Sequence, residues 1–241
     1  MSAGTAPQPP PDAQALTVLM PVFNERATVA RAIERLLEVE LPAPLAELVV
    51  IDDGSTDGSR ELLAETTWPA PVRVVHREDN GGKGAAVRTG LTHATGGLVA
   101  IFDADLEYDP ADLPALLEPL LAGETNVVFG ARGFRSHSAY GFWYVLGNRA
   151  VTFAGNVLYN TWMSDIMCCL KLMRTDLLRS LPLREGGFAI EPELAARVLL
   201  AGERIYEVPV SYRARSREEG KKLTAFDGVR VLATLVRCRV S

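Results

Sequence analysis

The stretch Leu98 to Asp109, LVAIFDADLEYD, constrains this chain more than any other. Leu98, Val99, Ala100, Ile101 and Phe102 form an unbroken apolar run, the pattern of a strand buried on both faces of a parallel sheet. The run stops at Asp103-Ala104-Asp105, and Glu107 follows two residues later. Ligands of open α/β sheets bind outside the carboxyl ends of the strands. Carboxylates crowded at such an end repel one another unless a cation neutralises them. Hard oxygen ligands suit Mg²⁺ or Mn²⁺, which usually share their coordination with substrate phosphates. The competing reading is a solvated acidic turn that caps a helix starting at Pro110. On this stretch alone the two readings weigh equally.

The flanking segments extend the α/β pattern. Leu16 to Met20 predicts a first buried strand, and Ala27 to Glu40 has helical periodicity. Leu48 to Ile51 predicts a second strand running into Asp52-Asp53-Gly54-Ser55-Thr56-Asp57-Gly58, which is turn and helix N-cap chemistry. A helix from about Ser59 to Thr66 and a strand at Val72 to His76 follow. Successive strand–helix units argue for a mostly parallel sheet with right-handed crossovers. Asn80-Gly81-Gly82-Lys83-Gly84 then opens a helix, so backbone N–H groups and Lys83 can receive a phosphate there. The P-loop spacing is absent, as is a GxGxxG after the first strand. Beyond the acidic strand end come a helix at Asp112 to Leu121 and a strand at Val127 to Phe129 that leads into Arg132. A strand near Leu170 to Met173, a helix at Leu194 to Ala201, an edge strand at Ile205 to Tyr212 and a last helix at about Thr224 to Arg239 complete the reading.

Tyr140 to Trp162 differs in kind: it is rich in aromatic residues and Arg149 is its only charge. It reads equally as a membrane or groove contact and as a helix buried in the core. The charge of the chain is also uneven. Overall it is −5, yet from Arg204 onward nine Lys/Arg face four Asp/Glu. A basic end on an acidic body suits an anionic partner, phosphate or a membrane surface, and no nucleic-acid motif accompanies it. Three cysteines, two of them adjacent, form neither a disulfide framework nor a zinc spacing, which implies a reducing, cytoplasmic compartment. Residues 1 to 15 read as a Pro-rich disordered tail, and no run of about 18 apolar residues predicts a membrane span.

In order, PVFNE, DDGSTDGS, NGGKGAAVRTG, DADLEYDP, GAR, EVPVSY and EEGKK make the chain resemble glycosyltransferase family 2, and within it the polyprenyl-phosphate (dolichyl-phosphate) mannose or glucose synthases. The resemblance runs from about Leu16 to Arg239. It implies a GT-A fold, a Rossmann-like sheet flanked by helices with a basic amphipathic C-terminal helix, in a single domain over 16–241. The nucleotide-binding half would span about 16–132 and the acceptor half about 133–241. It implies a nucleotide-diphosphate sugar donor of the GDP-mannose or UDP-glucose type, with base and ribose against Pro21, Phe23, Glu25 and Asp52/Asp53. Asp103, Asp105 and Glu107 would hold Mg²⁺ or Mn²⁺ and the diphosphate, with Asp105 and Glu107 as direct ligands. Arg132 and Arg149 match residues aimed at an acceptor phosphate, and Arg215 and Lys222 match a basic loop closing over the diphosphate. The implied reaction is an inverting transfer to a polyprenyl phosphate at the cytoplasmic face of a membrane.

Three alternatives stay open. If the acceptor is a hydroxyl, a carboxylate must take its proton, and Glu191, Glu193 and Asp165 are the candidates, although the two glutamates also read as first-turn charges favouring a helix dipole. A catalytically idle nucleotide-sugar-binding module would have lost the carboxylates that this chain keeps. A nucleotidyltransferase would carry its glycine loop beside the first strand. Finally, Ser164-Asp165-Ile166-Met167-Cys168-Cys169 departs from the Thr-Asp-Met-x-Thr-Cys-like run of many family members, which bears on acceptor or sugar identity.

Overall fold

The structure, a computed structural model, describes residues 14–133, 141–215 and 225–240. The predicted tail, apart from residues 14 and 15, and Lys222 lie outside the described residues. Seven strands form one sheet: β1 (Leu16–Val22), β2 (Leu45–Asp53), β3 (Val72–Arg77), β4 (Leu98–Ile101), β5 (Val127–Arg132), β6 (Lys171–Arg174) and β7 (Tyr206–Val210). Their spatial order is β3-β2-β1-β4-β6-β5-β7. All pairings are parallel except those of β6, which runs antiparallel to both β4 and β5.

Among the described residues, eight α-helices flank the sheet: α1 (Val29–Leu37), α2 (Ser59–Glu65), α3 (Lys83–Leu91), α4 (Leu113–Leu121), α5 (Phe142–Tyr159), α6 (Thr175–Ser180), α7 (Ile190–Leu200) and α8 (Ala225–Val240). The continuous apolar run of a central strand divides between two cores because its side chains alternate faces. Val18 and Met20 of β1 pack in a layer with Ile33 of α1 and Leu116 of α4. Leu19, Val49 and Ile101 pack on the other face with Val87 of α3, Leu194 of α7 and Leu235 of α8.

The predicted elements are present, with ends moved by a few residues. Helix α6 was not anticipated, and the Tyr140–Trp162 stretch resolves into α5. One side of α5 faces the core through Val151 and Thr152, whereas Phe142 and Phe153 are each 70% exposed and Trp162 beyond it is 90% exposed. Neither expectation for this stretch described the whole of it. Among the described residues, no helix is long and apolar enough to cross a membrane.

Candidate active site

β1 lies between β2 and β4, so the direction of connection reverses at the β1–β4 junction and leaves a crevice at their carboxyl ends. A cavity of about 840 Å³ occupies this crevice. One wall carries Pro21, Phe23 and Glu25, which follow from β1, together with Asp53 at the end of β2. Asp103 and Asp105 come from the turn after β4, and Lys83 begins α3. Opposite them stand Tyr144 and Asn148 of α5, Arg132 at the end of β5, and Tyr212 and Arg215 beyond β7.

Asp53 organises the glycine turn. Its carboxylate accepts from the N–H groups of Gly81 (3.1 Å) and Gly82 (2.7 Å) and from Arg77 Nε (2.6 Å). Gly82 has φ +83°, and a Cβ there would lie 2.6 Å from the Gly186 carbonyl, so only glycine fits. Asp52 does not reach the cavity. Fully buried, it accepts from the Ser55 N–H (3.0 Å) and sits 3.2 Å from His76 Nδ1, which corrects its expected donor contact. The register of β2 explains this, because adjacent residues of a strand point to opposite faces.

The acidic turn is held by cations rather than solvated. Lys83 Nζ lies 2.6 Å from Asp103 and 2.8 Å from Glu191. Burial works against the Lys83 charge, but Asp103, with Cys169 and Glu191, keeps it well above the ordinary amine range. Among the described residues, the cationic partner of Asp105 is Arg215, at 3.4 Å. Burial, reinforced by Asp103 and Glu107, pushes its carboxyl up to about 7. The helix-capping role belongs to Asp109, whose carboxylate accepts from Ala111 N–H.

Glu107 differs from expectation. Its carboxylate takes Tyr212 Oη (2.6 Å) and the Arg215 N–H (2.9 Å), so it anchors the strand-exit segment over the cavity. Among the described residues, no three His, Cys, Asp or Glu side chains gather to hold an ion together. Asp103, Asp105 and Glu107 instead each have a protein partner: Lys83, Arg215 and Tyr212, respectively. A buried, under-neutralised Asp105 still fits Mg²⁺ or Mn²⁺, since these ions commonly take one or two protein carboxylates plus substrate phosphates. Arg215 bridges the site, donating to Glu25 at 2.8 and 3.1 Å.

Two expected phosphate ligands are placed otherwise. Arg132 is gripped by Asp165, with Nε at 2.6 Å and Nη2 at 2.9 Å, and it lies 5.0 Å over the Tyr212 ring. Asp165 thus neutralises a guanidinium that lines the cavity, and Arg132 Nη1 also donates to Tyr144 Oη at 3.1 Å. Arg149 is exposed on the outer side of α5, so it incurs no burial cost that an anion would have to relieve.

The candidate proton acceptors are all engaged. Glu191 is sandwiched between Lys83 and Lys171, and although burial opposes its charge, Lys171 and Lys83 draw its carboxyl down to about 2. Glu193 accepts from the N–H groups of Arg184 and Glu185 (3.0 and 2.8 Å), and Asp165 holds Arg132. Lys171 was missed by sequence reasoning. Fully buried, it bonds Glu191 and the Cys168 carbonyl and stacks 4.7 Å from the centre of the Phe129 ring. A lysine opening an otherwise apolar strand was the available signal. Tyr144, Asn148 and Tyr212 were missed as well.

The sequence pattern of Glycosyl transferase family 2 matches residues 17–181. This chain belongs to glycosyltransferase family 2. It is 29% identical over 210 residues to the dodecaprenyl-phosphate galacturonate synthase of Rhizobium johnstonii, covering 83% of this chain and 59% of that protein. It is 26% identical over 212 residues to the dolichol-phosphate mannosyltransferase of Pyrococcus furiosus, covering 86% and 58%. The chain therefore spans about three-fifths of the length of these relatives. Glucosyl-3-phosphoglycerate synthase from Mycobacterium tuberculosis, solved with Mn²⁺, UDP-glucose and phosphoglyceric acid, superimposes with a TM-score of 0.70 at 26% identity, covering 95% of this chain and 82% of the other. The family-2 member described here has the expected GT-A fold, a mostly parallel sheet flanked by helices.

Proposed function

We propose that this family-2 transferase moves a hexose from a nucleotide-diphosphate sugar to a polyprenyl phosphate, in a single displacement with inversion. The observation that carries this reading is that the three carboxylates weighed as bases are engaged: Glu191 by two lysines, Glu193 by backbone N–H groups and Asp165 by Arg132. A phosphate acceptor is ionised near neutral pH and needs none. A hydroxyl acceptor requires a carboxylate whose proton affinity suits the task, and Glu191 at about 2 does not.

The rest of the cavity supports the same chemistry. Pro21, Phe23 and Glu25 receive the nucleoside, while the Gly81–Lys83 turn and Arg215 face the diphosphate. Asp105 and Asp103 would hold a divalent cation, which when bound would help to neutralise charge on the leaving diphosphate. Arg215 exchanges its carboxylate partners for phosphate oxygens, and its guanidinium suits a bidentate grip. Lys222, outside the described residues, belongs to the same proposed loop. Val151 of α5 and Val231 of α8 give the cavity an apolar wall, and the outer faces of these two helices expose Phe142, Phe153, Val229 and Val236. Arg149, Arg230, Arg237 and Arg239 are exposed on the same two helices. Exposed apolar side chains among arginines suit peripheral docking on an anionic membrane, where a lipid acceptor resides.

The neighbouring structure with phosphoglyceric acid favours one second reading, a small phosphorylated hydroxy acid as acceptor. A panel of radiolabelled nucleotide sugars, offered with a short polyprenyl phosphate or with phosphoglyceric acid, separates the two. Counts in the organic extract support the first reading, and counts confined to the aqueous phase support the second.

A further inference from the structure

We propose that Glu185 is a positioning residue through which helix α8 sets the glycine turn of the donor site. The inference rests on the reading of that turn as a diphosphate cradle and is independent of the acceptor.

Glu185 is buried, and its carboxylate is directed at α8. It accepts from Arg230 Nη2 (3.3 Å), Thr234 Oγ1 (3.4 Å) and Arg237 Nη2. The main chain at the same place is bonded to the donor side. Arg88 of α3 donates to the Glu185 carbonyl at 2.6 Å, and the Gly186 carbonyl accepts from Gly84 N–H (2.5 Å) and Ala85 N–H (3.2 Å). These are first-turn amides of α3, the helix that Lys83 opens. The two backbones pack without side chains between them: a Cβ on Gly186 would lie 2.7 Å from the Gly81 carbonyl. The Glu193 carboxylate fixes the segment from a third side by accepting from the N–H groups of Arg184 and Glu185.

Residues 184 to 186 thus connect an outer helix to the phosphate-facing amides. A buried carboxylate matched by two arginines has a preference for one position, because losing both partners leaves its charge uncompensated. Displacing α8 would withdraw Arg230 and Arg237 together, shift residues 185 and 186, and misplace Gly82 and Lys83. Arg230 and Arg237 are mostly exposed at their outer ends, with side chains 63% and 61% accessible, so they stand at the surface while holding an interior group. The consequence is that surface arginines of α8, a helix that also lends Val231 to the cavity wall, control donor affinity through Glu185.

The test is calorimetric titration of UDP and of GDP, each with Mn²⁺, into the full chain, without acceptor or lipid. The nucleotide that binds the unaltered chain more tightly is then used with three variants. The doubly substituted Arg230→Met/Arg237→Met variant is expected to weaken Kd by about tenfold, within the usual range of coupling between sites. Arg237→Lys alone should recover most of the loss. Glu203→Gln, which disturbs an ordinary contact with Asn126 at the far edge of the sheet, should leave Kd within twofold even where its unfolding midpoint falls as far. In turnover assays the double variant should raise donor KM and leave kcat largely intact. An unchanged Kd in the double variant would overturn the inference, as would a loss matched by Glu203→Gln. If neither nucleotide binds the unaltered chain, the donor reading fails and this inference falls with it.

Discussion

Glu191 and Lys171 form an ion pair inside the protein with neither side chain reaching solvent, and Lys83 contacts the same carboxylate at 2.8 Å. One carboxylate therefore serves two ammonium groups, and Lys83 carries the link onward to Asp103 at the cavity floor. Such an arrangement ties Lys83 and Lys171 together through one buried carboxylate.

Glu191→Gln should consequently lower stability far more than it lowers the chemical step. Breaking a buried pair by removing one partner costs ~3–5 kcal/mol, whereas loss of a general base costs ~10²–10⁴ in rate. The sign with pH follows from the depressed carboxyl, at about 2 in the folded chain against an ordinary 4.5. Its stabilisation is complete above the ordinary value and is lost as pH falls from there through about 2. Urea unfolding of the wild type and the variant should show a gap at pH 7 that closes on acidification. A gap that widens towards acid would contradict the assignment.

Asp105→Ala should abolish turnover and leave the thermal midpoint unchanged or slightly raised. In the absence of a bound cation this carboxylate suffers burial and the repulsion of Asp103 and Glu107, so it contributes little to folding. Excess EDTA should have the same effect on turnover in the wild type. Full activity of the variant, or undiminished wild-type activity in EDTA, would rule out the metal-assisted scheme.

Asp165→Asn should destabilise the fold by ~3–5 kcal/mol, because the partner guanidinium of Arg132 is buried. Arg149→Lys, on the solvent side of α5, should leave stability, donor affinity and acceptor KM unaltered. Differential scanning calorimetry and steady-state kinetics on the two variants check this contrast. A raised acceptor KM in Arg149→Lys would return Arg149 to the acceptor site.

Co-sedimentation with anionic liposomes should be strong at low salt and weaken as salt rises, since the Debye length is ~10 Å at 0.1 M. Phe153→Asp should reduce it at every salt concentration while leaving the unfolding midpoint near that of the wild type, because Phe153 is 70% exposed and holds nothing in the core. Binding that is absent at low salt would argue against a membrane-resident acceptor.

The sheet was legible because its strands announce themselves twice, as apolar runs and as runs ending in Pro21, Asp52-Asp53 or Asp103. Pro21, Phe23, Glu25, Asp53, Lys83, Asp103, Asp105, Glu107, Arg132 and Arg215 do converge on one cavity. Their pairings were not legible. Whether Arg132 meets a phosphate or Asp165 depends on where residues 33 positions apart come to rest, and local pattern carries no such information. The exposure of Arg149 was not legible because a single charge among aromatics looks desolvated in sequence, whereas on an amphipathic helix it faces outward. Lys171 stayed hidden for the converse reason: its two-sided burial is set by β4 and β5, which flank it in space.

The central claim is that the new bond forms at a phosphate oxygen, and ³¹P spectroscopy of a reaction with short-chain polyprenyl phosphate, nucleotide sugar and Mn²⁺ or Mg²⁺ tests it directly. The account predicts that the acceptor's phosphomonoester resonance is replaced by that of a phosphodiester, with one nucleoside diphosphate released per diester formed. A monoester resonance that persists while sugar is consumed, with transfer appearing on a hydroxyl instead, would contradict it.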